Sequence, residues 1–398
     1  MQKKTIKDVD LQGKRVLMRA DFNVPLDDNL NITDDIRIKS AVPTIDYILS
    51  KGAKLILMSH MGRPKGKIVD DMRLTPVAKR LGELLDRPVQ KLNDCIGDEV
   101  VSAVNSMKDG DVILLENLRF HKEETDNDPE FAKRLASLAD IFVNDAFGTC
   151  HRAHASTEGV TRYLESAAGF LLQKEIEYFQ KVVTAPEKPF VLILGGAKVA
   201  DKIPVIENML DKADTILIGG GMAYTFLKVQ GAQIGSSKFE QDMKGTAGDT
   251  LGKAKQKGVN IVLPVDHVIT QSIEDPSSKK TTDGKDIEPG WIGVDIGPKT
   301  IELFKKECVS AKTIVWNGPM GIFEKDAYAE GTRQIAEYIA DLQVATIIGG
   351  GDTAAAVKKF KVDDKMSHIS TGGGASLEYL EGKAMPGVSA LTDKEVRV

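Results

Sequence analysis

The sequence predicts an α/β protein of two lobes, each a doubly wound, mainly parallel sheet flanked by helices, with a hinge helix between them. Three observations support this prediction. The chain has 398 residues, which is long for one domain and sufficient for two hydrophobic cores. Short apolar runs alternate with longer helix-like stretches, as in βαβ units. A helix-like segment that ends at two prolines lies near the middle of the chain.

The first half of the chain contains the strand and helix pattern of one lobe. The apolar runs that predict strands are residues 15–19, 53–58, 111–115 and 140–143. The segments with helical periodicity are residues 36–50, 76–85 and 129–138. Because strands and helices alternate, we expect a parallel sheet within residues 1–170.

The middle of the chain predicts the connection between the lobes. Residues 171–183 have a helical pattern, and Pro186 and Pro189 prevent the helix from continuing. A helix that runs into a proline-rich segment suits a hinge better than a flexible tether would. We therefore expect the hinge within residues 171–189 and the second lobe within residues 190–385.

The second half repeats one local pattern, an apolar run that leads into glycines and then into a helix-compatible stretch. The predicted strands are residues 190–194, 215–218, 313–316, 345–348 and 368–370. Glycine lets a backbone approach a ligand closely, and a helix N-terminus offers unpaired N–H groups. Several such turns at one edge of a parallel sheet predict an anion-binding rim. The chain contains neither GxxxxGK[ST] nor GxGxxG, and its polar segment 274–289 predicts an exposed hairpin or loop.

Charged residues accompany these glycines. Lys198 and Lys202 follow the first glycine pair four residues apart, and we expect them on one face of the helix that opens there. Asp352 follows a glycine triplet at a predicted helix start. It is either a helix N-cap or a ligand for Mg²⁺, which is typically held by one or two carboxylates together with substrate phosphates.

Arginines are concentrated in the first half of the chain. Of the 13 arginines, 11 lie between Arg15 and Arg162. Arg63, Arg119 and Arg152 each follow the carboxyl end of a different predicted strand. Arginine suits bidentate binding of phosphate and carboxylate, so the set predicts one anion site in the first lobe.

Composition excludes several classes of function. The net charge of −5 argues against a nucleic-acid partner. No stretch approaches the roughly 18 apolar residues that cross a bilayer, and we expect neither a secretory signal nor a membrane partner. The three cysteines form no CxxC pair, so neither a disulfide framework nor a zinc site is indicated and a cytoplasmic location is expected. No Ser-His-Asp arrangement or GxSxG elbow supports hydrolase chemistry.

Eight motifs, in order along nearly the whole chain, resemble the phosphoglycerate kinase family. Met61 and Cys150 are mild departures from the family pattern. The segments that carry the resemblance are residues 19–25, 59–64, 115–120, 144–148, 195–199, 316–321, 349–353 and 370–375.

The resemblance implies transfer of a phosphoryl group between ATP and 3-phosphoglycerate, with Mg²⁺. It also implies a monomer whose C-terminal tail, residues 386–398, packs back on the first lobe. Catalytic residues would be Arg37, Lys198, Gly372 and Gly373. Substrate-binding residues would be Asp21, Phe22, Asn23, Arg37, His60, Met61, Gly62, Arg63, Arg119 and Arg152. Nucleotide-binding residues would be Gly196, Ala197, Lys202, Gly220, Gly293, Asn317, Glu324, Gly350, Gly351, Asp352 and Thr353, with Asp352 also the metal ligand.

This chemistry agrees with the residues. A carboxylate acceptor is already ionised at neutral pH because its pKa is near 4, so no general base is needed. Phosphoryl transfer then depends on positioning and charge stabilisation, which arginines, lysines and backbone amides supply. Two alternatives remain at this point: a two-domain dehydrogenase, and a hinged anion-binding protein without catalytic activity.

Overall fold

The fold is that of a computed structural model, which describes residues 2–394. The strands are β1 (Arg15–Arg19), β2 (Lys54–Met58), β3 (Gln90–Lys91), β4 (Val112–Leu114), β5 (Ile141–Asn144), β6 (Glu165–Ala168), β7 (Phe190–Leu194), β8 (Thr215–Ile218), β9 (Asn260–Val262), β10 (His267–Thr270), β11 (Lys280–Thr281), β12 (Ile292–Ile296), β13 (Thr313–Asn317), β14 (Ala345–Gly349) and β15 (His368–Ile369). The helices are α1 (Ile36–Ser50), α2 (Thr75–Leu85), α3 (Asp98–Asn105), α4 (Lys122–Thr125), α5 (Pro129–Ala136), α6 (Phe170–Thr184), α7 (Ile203–Met209), α8 (Ala223–Val229), α9 (Lys244–Gln256), α10 (Pro298–Cys308), α11 (Glu330–Ala340), α12 (Gly351–Lys359), α13 (Gly374–Leu380) and α14 (Pro386–Ser389).

The chain divides into two compact units. One contains the chain up to Glu177 and again from Ala384, and the other contains Tyr178–Lys383. The division falls inside α6. The predicted domain limits and the hinge at residues 171–189 stay predictions, and residues 395–398 of the predicted tail lie outside the described residues. None of the described helices combines the length and the apolar character that crossing a membrane requires.

The first unit contains a six-stranded parallel sheet in the order β3-β4-β2-β1-β5-β6. Side chains alternate between the faces of a strand, so Val16 and Met18 of β1 join the core formed with α1 and α2. Burial of each large apolar side chain in this core contributes about 1.5–3 kcal/mol. The chain moves outward in both directions from β1 and β5, which makes their carboxyl ends the place where a ligand is expected.

A buried carboxylate begins α6. Asp145 Oδ1 accepts a hydrogen bond from the Leu172 N–H at 3.1 Å, and a Cβ atom on Gly169 would lie only 2.2 Å from that oxygen. Burial raises the pKa of Asp145 to about 7, although Thr44 and the helix N–H groups favour its ionised form. The other carboxylate oxygen has no hydrogen-bond partner within the described residues. The start of α6 is therefore fixed by a group whose charge is poorly stabilised.

The second unit contains two sheets. Its six-stranded parallel sheet has the order β15-β14-β13-β7-β8-β9, with the reversal of direction between β7 and β13. A smaller antiparallel sheet has the order β11-β10-β12. The predicted exposed segment 274–289 contains β11, one of the strands of this smaller sheet.

One local prediction is wrong. Lys198 and Lys202 do not lie on a helix, because α7 begins only at Ile203. The intervening backbone forms a turn in which the N–H of Val199 donates to Glu240 Oε1 at 2.7 Å. Pro204 then occupies a first-turn position, which suits a helix start there.

Candidate active site

The loops after β2 and β4 are tied together at the carboxyl edge of the first sheet. The Asn117 side chain donates to the carbonyls of Met61 and Met72 at 2.8 and 2.9 Å, and its oxygen accepts from the Arg119 N–H at 3.0 Å. Asn23 Oδ1 accepts from the Gly62 N–H at 2.9 Å. These bonds hold the loop that carries Arg63 next to the turn that carries Arg119.

A cationic cavity of ≈ 340 Å³ opens beside these loops. Five positively charged side chains line it together with Gly66 and Thr125, and the described lining contains no carboxylate. The cationic lining residues are Arg63, Lys65, Arg119, Lys122 and Arg152. An anion in the cavity would reduce the mutual repulsion within this set.

Arg119 shows the effect of these neighbouring charges and of burial. Its Nη1 donates to the Gly62 carbonyl at 2.8 Å, whereas its buried Nε has no partner within the described residues. Burial, and then the charge of Arg19, lowers the pKa of Arg119 to about 10, with Arg152 also contributing. An oxyanion would satisfy the free donor and restore the charge balance.

His60 is a buried, neutral hydrogen-bonding group near Arg119. Its Nδ1 is 3.0 Å from Nη2 of the fully buried Arg19. Because a guanidinium can only donate, this Nδ1 accepts and the ring proton is placed on Nε2. Burial, and then the charge of Arg19, lowers the pKa of His60 well below its usual range. Arg19 is therefore a positioning residue that was not among the predicted site residues, although a charged residue inside an apolar strand is a visible signal in the sequence.

The other predicted substrate residues differ in placement. Arg37 Nη1 forms an ion pair of 2.6 Å with Asp21 Oδ2, outside the lining of the cavity. Phe22 and Met61 are buried in the core, and the Phe22 N–H donates to Ser59 Oγ. The structure thus brings Arg63, Arg119 and Arg152 together in one cavity, while Phe22 and Met61 pack in the core.

The second unit has a cavity of ≈ 410 Å³ at the carboxyl edge of its parallel sheet. Turns after β7, β13 and β14 and the turn before α13 form its walls. Gly195 and Gly318 permit this closeness, because a Cβ on Gly195 would lie 2.1 Å from the Pro319 carbonyl oxygen. The predicted residues that line the cavity are Gly196, Ala197, Lys198, Lys202, Asn317, Gly350, Gly351, Asp352, Thr353 and Gly373.

Lys202 is a partly buried cation of this cavity. Its ammonium donates to Asn317 Oδ1. Burial lowers the pKa of Lys202 to about 8, and Asp201 and Asp352 oppose this shift. An anionic ligand in the cavity would stabilise the ammonium form.

Asp352 suits a hard cation. It lies in the first turn of α12, exposed, after Gly350, whose φ of +85° requires a glycine. Thr353 Oγ1 accepts from the Gly318 N–H at 2.6 Å, which joins this turn to the one after β13. An exposed carboxylate in the lining of a cavity that could hold phosphates suits Mg²⁺, which is typically bound by one or two carboxylates and substrate phosphates.

Four predicted residues lie outside the lining of this cavity: Gly220, Gly293, Glu324 and Gly372. Gly220 packs against the first turn, where a Cβ would lie 2.6 Å from the Gly196 nitrogen. A Cβ on Gly293 would meet the Tyr224 hydroxyl at 1.9 Å. The Gly372 N–H already donates to Ser370 Oγ at 3.1 Å, whereas Gly373 is part of the lining. Ligand contacts by these four residues stay predictions.

Comparison with known proteins identifies the family. The family model described as phosphoglycerate kinase matches residues 6–383. The phosphoglycerate kinase of Dictyoglomus turgidum is 59% identical over 398 residues, covering 99% of this chain and 100% of the relative. That of Moorella thermoacetica is 56% identical over 394 residues, with the same coverage.

Solved structures agree. The phosphoglycerate kinase of Coxiella burnetii matches with a TM-score of 0.87 at 42% identity, over 98% of each chain. That of Pyrococcus horikoshii matches with a TM-score of 0.85 at 32% identity, again over 98% of each. The dehydrogenase and the non-catalytic anion-binding protein are thereby excluded. The chain belongs to the phosphoglycerate kinase family, and it is a phosphotransferase that interconverts ATP plus 3-phosphoglycerate with ADP plus 1,3-bisphosphoglycerate.

Proposed function

We propose that the cationic cavity of the first unit binds 3-phosphoglycerate and that the glycine-lined cavity of the second unit binds the phosphates of the nucleotide. One observation supports the first assignment above all: five cations line one cavity that contains no described carboxylate. Arg63, Arg119 and Arg152 would hold the phosphate group. His60 would donate its Nε2 proton to the substrate, with Asp21 and Asn23 beside it.

The nucleotide assignment rests on the amides and cations of the second cavity. Gly196, Gly350 and Gly373 bring backbone close to the space that phosphates would fill. Lys202 would bind the phosphates as a partly buried point charge. The predicted contacts of Gly220, Gly293 and Glu324 with the nucleotide belong to the same proposal.

The family uses ATP and ADP with Mg²⁺. We assign the metal in this chain to Asp352, together with oxygens of the nucleotide phosphates. When bound, the metal would neutralise part of the phosphate charge.

The transfer itself requires charge stabilisation rather than a base. The acceptor carboxylate is ionised at neutral pH, so the barrier is repulsion between two anions. Arg37, Lys198 and the amides of Gly372 and Gly373 would stabilise the phosphoryl group during transfer. Because each substrate has its own unit, the units must approach one another during the cycle, and we place the hinge within residues 171–189. A cytoplasmic monomer without nucleic-acid or membrane partners completes the proposal.

Steady-state kinetics test the substrate assignment. We expect Arg63→Ala to raise the KM for 3-phosphoglycerate about 10-fold or more, because a charged hydrogen bond contributes about 1.5–3 kcal/mol. The KM for ATP should stay within about twofold. Arg134→Ala is the matched control, since Arg134 is exposed on α5 away from the cavity. An unaltered KM for 3-phosphoglycerate in the Arg63 variant would contradict the assignment.

A further inference from the structure

Three different metal-binding side chains meet in the first unit, outside the lining of the cationic cavity. Ligand atoms of Asp94, Cys95 and His121 lie within 4.8 Å of one another. Among residues 2–394, this is the one place where three His, Cys, Asp or Glu donors come so close. This cluster was not predicted, because 26 positions separate Cys95 from His121.

The geometry of the cluster allows access from solvent. His121 Nε2 is 2.7 Å from Asp94 Oδ1, and the same oxygen accepts from the Cys95 N–H at 2.6 Å. The Asp94 side chain is 52% exposed, whereas Cys95 is fully buried. The His121 ring lies 5.3 Å from the Phe131 ring, which limits its rotation. The thiol therefore lies on the buried side of the cluster, and the carboxylate lies on its solvent-exposed side.

The donor set selects a class of cation. In a tetrahedral site with zinc-like bond lengths, neighbouring donors are about 3.5 Å apart, so small side-chain rotations would bring these three atoms into position. A thiolate and an imidazole favour zinc-class cations and disfavour Mg²⁺ and Ca²⁺. We propose that Asp94, Cys95 and His121 form a binding site for a zinc-class divalent cation, with water as the fourth ligand.

Binding requires proton release. Burial raises the pKa of Cys95 well above its usual range, and the hydrogen bond to Asp94 raises the pKa of His121. A cation therefore displaces the thiol proton and the proton that the His121 Nε2 shares with Asp94. Bound there, it would link the loop after β3 to the segment that contains Arg119 and Lys122, two residues of the cationic cavity.

Titration of the metal-free, nucleotide-free protein with Co²⁺ tests the site. We expect one equivalent to bind with a thiolate-to-cobalt charge-transfer band, and Zn²⁺ to abolish that band by competition. Cys95→Ser and His121→Ala should lose it. Cys308→Ser is the matched control, because Cys308 is a second buried free thiol, located in α10 of the other unit. Absence of the band in the unmodified protein, or its survival in Cys95→Ser, would overturn the proposal.

Thermal unfolding gives a second readout that does not depend on the buried thiol. Asp94 is exposed, so Asp94→Ala is expected to fold. Zn²⁺ should raise the Tm of the unmodified protein and of Cys308→Ser, and leave that of Asp94→Ala and His121→Ala unchanged. An equal shift in all four proteins would indicate binding elsewhere and contradict the site. Neither measurement requires phosphoryl transfer, so its outcome is independent of the proposed function.

Discussion

At the scale of single residues, a buried charge in the first unit orients a side chain that is predicted to bind the substrate. Arg19 is fully buried, and it fixes the tautomer of His60 instead of facing a substrate. Its Nε donates to Ser156 Oγ at 2.9 Å, and Ser156 Oγ in turn donates to the buried Glu124 at 2.6 Å. This network satisfies a buried guanidinium that would otherwise be costly.

Substitution of Arg37 can distinguish binding of the substrates from stabilisation of the transition state. Because the phosphoryl group in transfer needs more stabilisation than either substrate, Arg37→Ala should lower kcat about 100-fold or more with a much smaller change in KM. Steady-state rates with both substrates varied would measure this.

The ion pair with Asp21 requires a control for that experiment. Loss of Arg37 leaves the Asp21 carboxylate without its 2.6 Å partner. Asp21→Asn combined with Arg37→Ala removes that unpaired charge. If the double variant regains most of the activity, the loss came from Asp21, and a direct catalytic role of Arg37 is wrong.

At the scale of elements, strands and helices with strong periodicity were predictable. The limits of α1 and β1, and those of β7, agree with the predicted ranges. Short edge strands such as β3 were not predicted, because two residues contain no periodic signal. The start of α7 was misplaced, because a contact with Glu240, distant in sequence, holds the preceding turn open.

The candidate site was predictable to a similar degree. The grouping of Arg63, Arg119 and Arg152 could be predicted because each follows a strand, and the carboxyl ends of parallel strands share one edge of the sheet. Arg19 was visible as a charged residue inside an apolar strand, but its contact with His60 was not predictable. The hydrogen bond of the Gly372 N–H to Ser370 was not predictable either, because both contacts depend on which neighbours these groups meet in three dimensions. A cluster such as Asp94 with His121 depends on long-range contacts in the same way.

The start of α6 gives a prediction about pH. The pKa of Asp145 is about 7 in the folded protein, above its ordinary value of 3.8. Between these values the folded state binds more protons than the unfolded one, so stability falls as pH rises through this window, and the full penalty remains above it. Asp145→Asn should therefore stabilise the protein by about 1–3 kcal/mol at pH 8 and by little at pH 4. Denaturant unfolding at both pH values measures the difference.

Asp140 is the matched control for this prediction. Its pKa is lowered, although burial opposes the shift, because the Arg15 N–H and guanidinium favour the carboxylate. Asp140→Asn should thus give no gain at pH 8. An equal gain in both variants would mean that burial of Asp145 is not the cause.

At the scale of the whole molecule, two anion cavities are built by different means. The first unit relies on arginine and lysine side chains, and the second relies mainly on glycine turns with few cations. Three of the 11 arginines that precede residue 163 line the first cavity, and the described lining of the second cavity contains no arginine. Each unit contains a complete cavity of its own, so each substrate should bind without the other.

Lys202→Met tests this independence. We expect the affinity for ADP to fall about 10-fold or more, because a charged hydrogen bond is lost, while the affinity for 3-phosphoglycerate stays within about twofold. Burial lowers the pKa of Lys202 to about 8, and the cost of burying its charge is fully present below that pH. The variant should therefore also be more stable at pH 7, by about 1–2 kcal/mol. Calorimetric titration with each ligand and thermal unfolding measure both effects, and an equal loss of both affinities would refute independence.

The first unit is assembled from two stretches of chain that lie far apart. Within it, the Asn144 amide donates to the Gly387 carbonyl at 2.9 Å, and the Lys4 N–H donates to the Thr392 carbonyl at 2.8 Å. A ribosome makes the entire second unit before it makes these closing residues. All six strands of the first sheet are made early, yet the unit they belong to is completed last. The nascent chain must therefore keep the surface that Gly387 and Thr392 will cover soluble while the second unit folds.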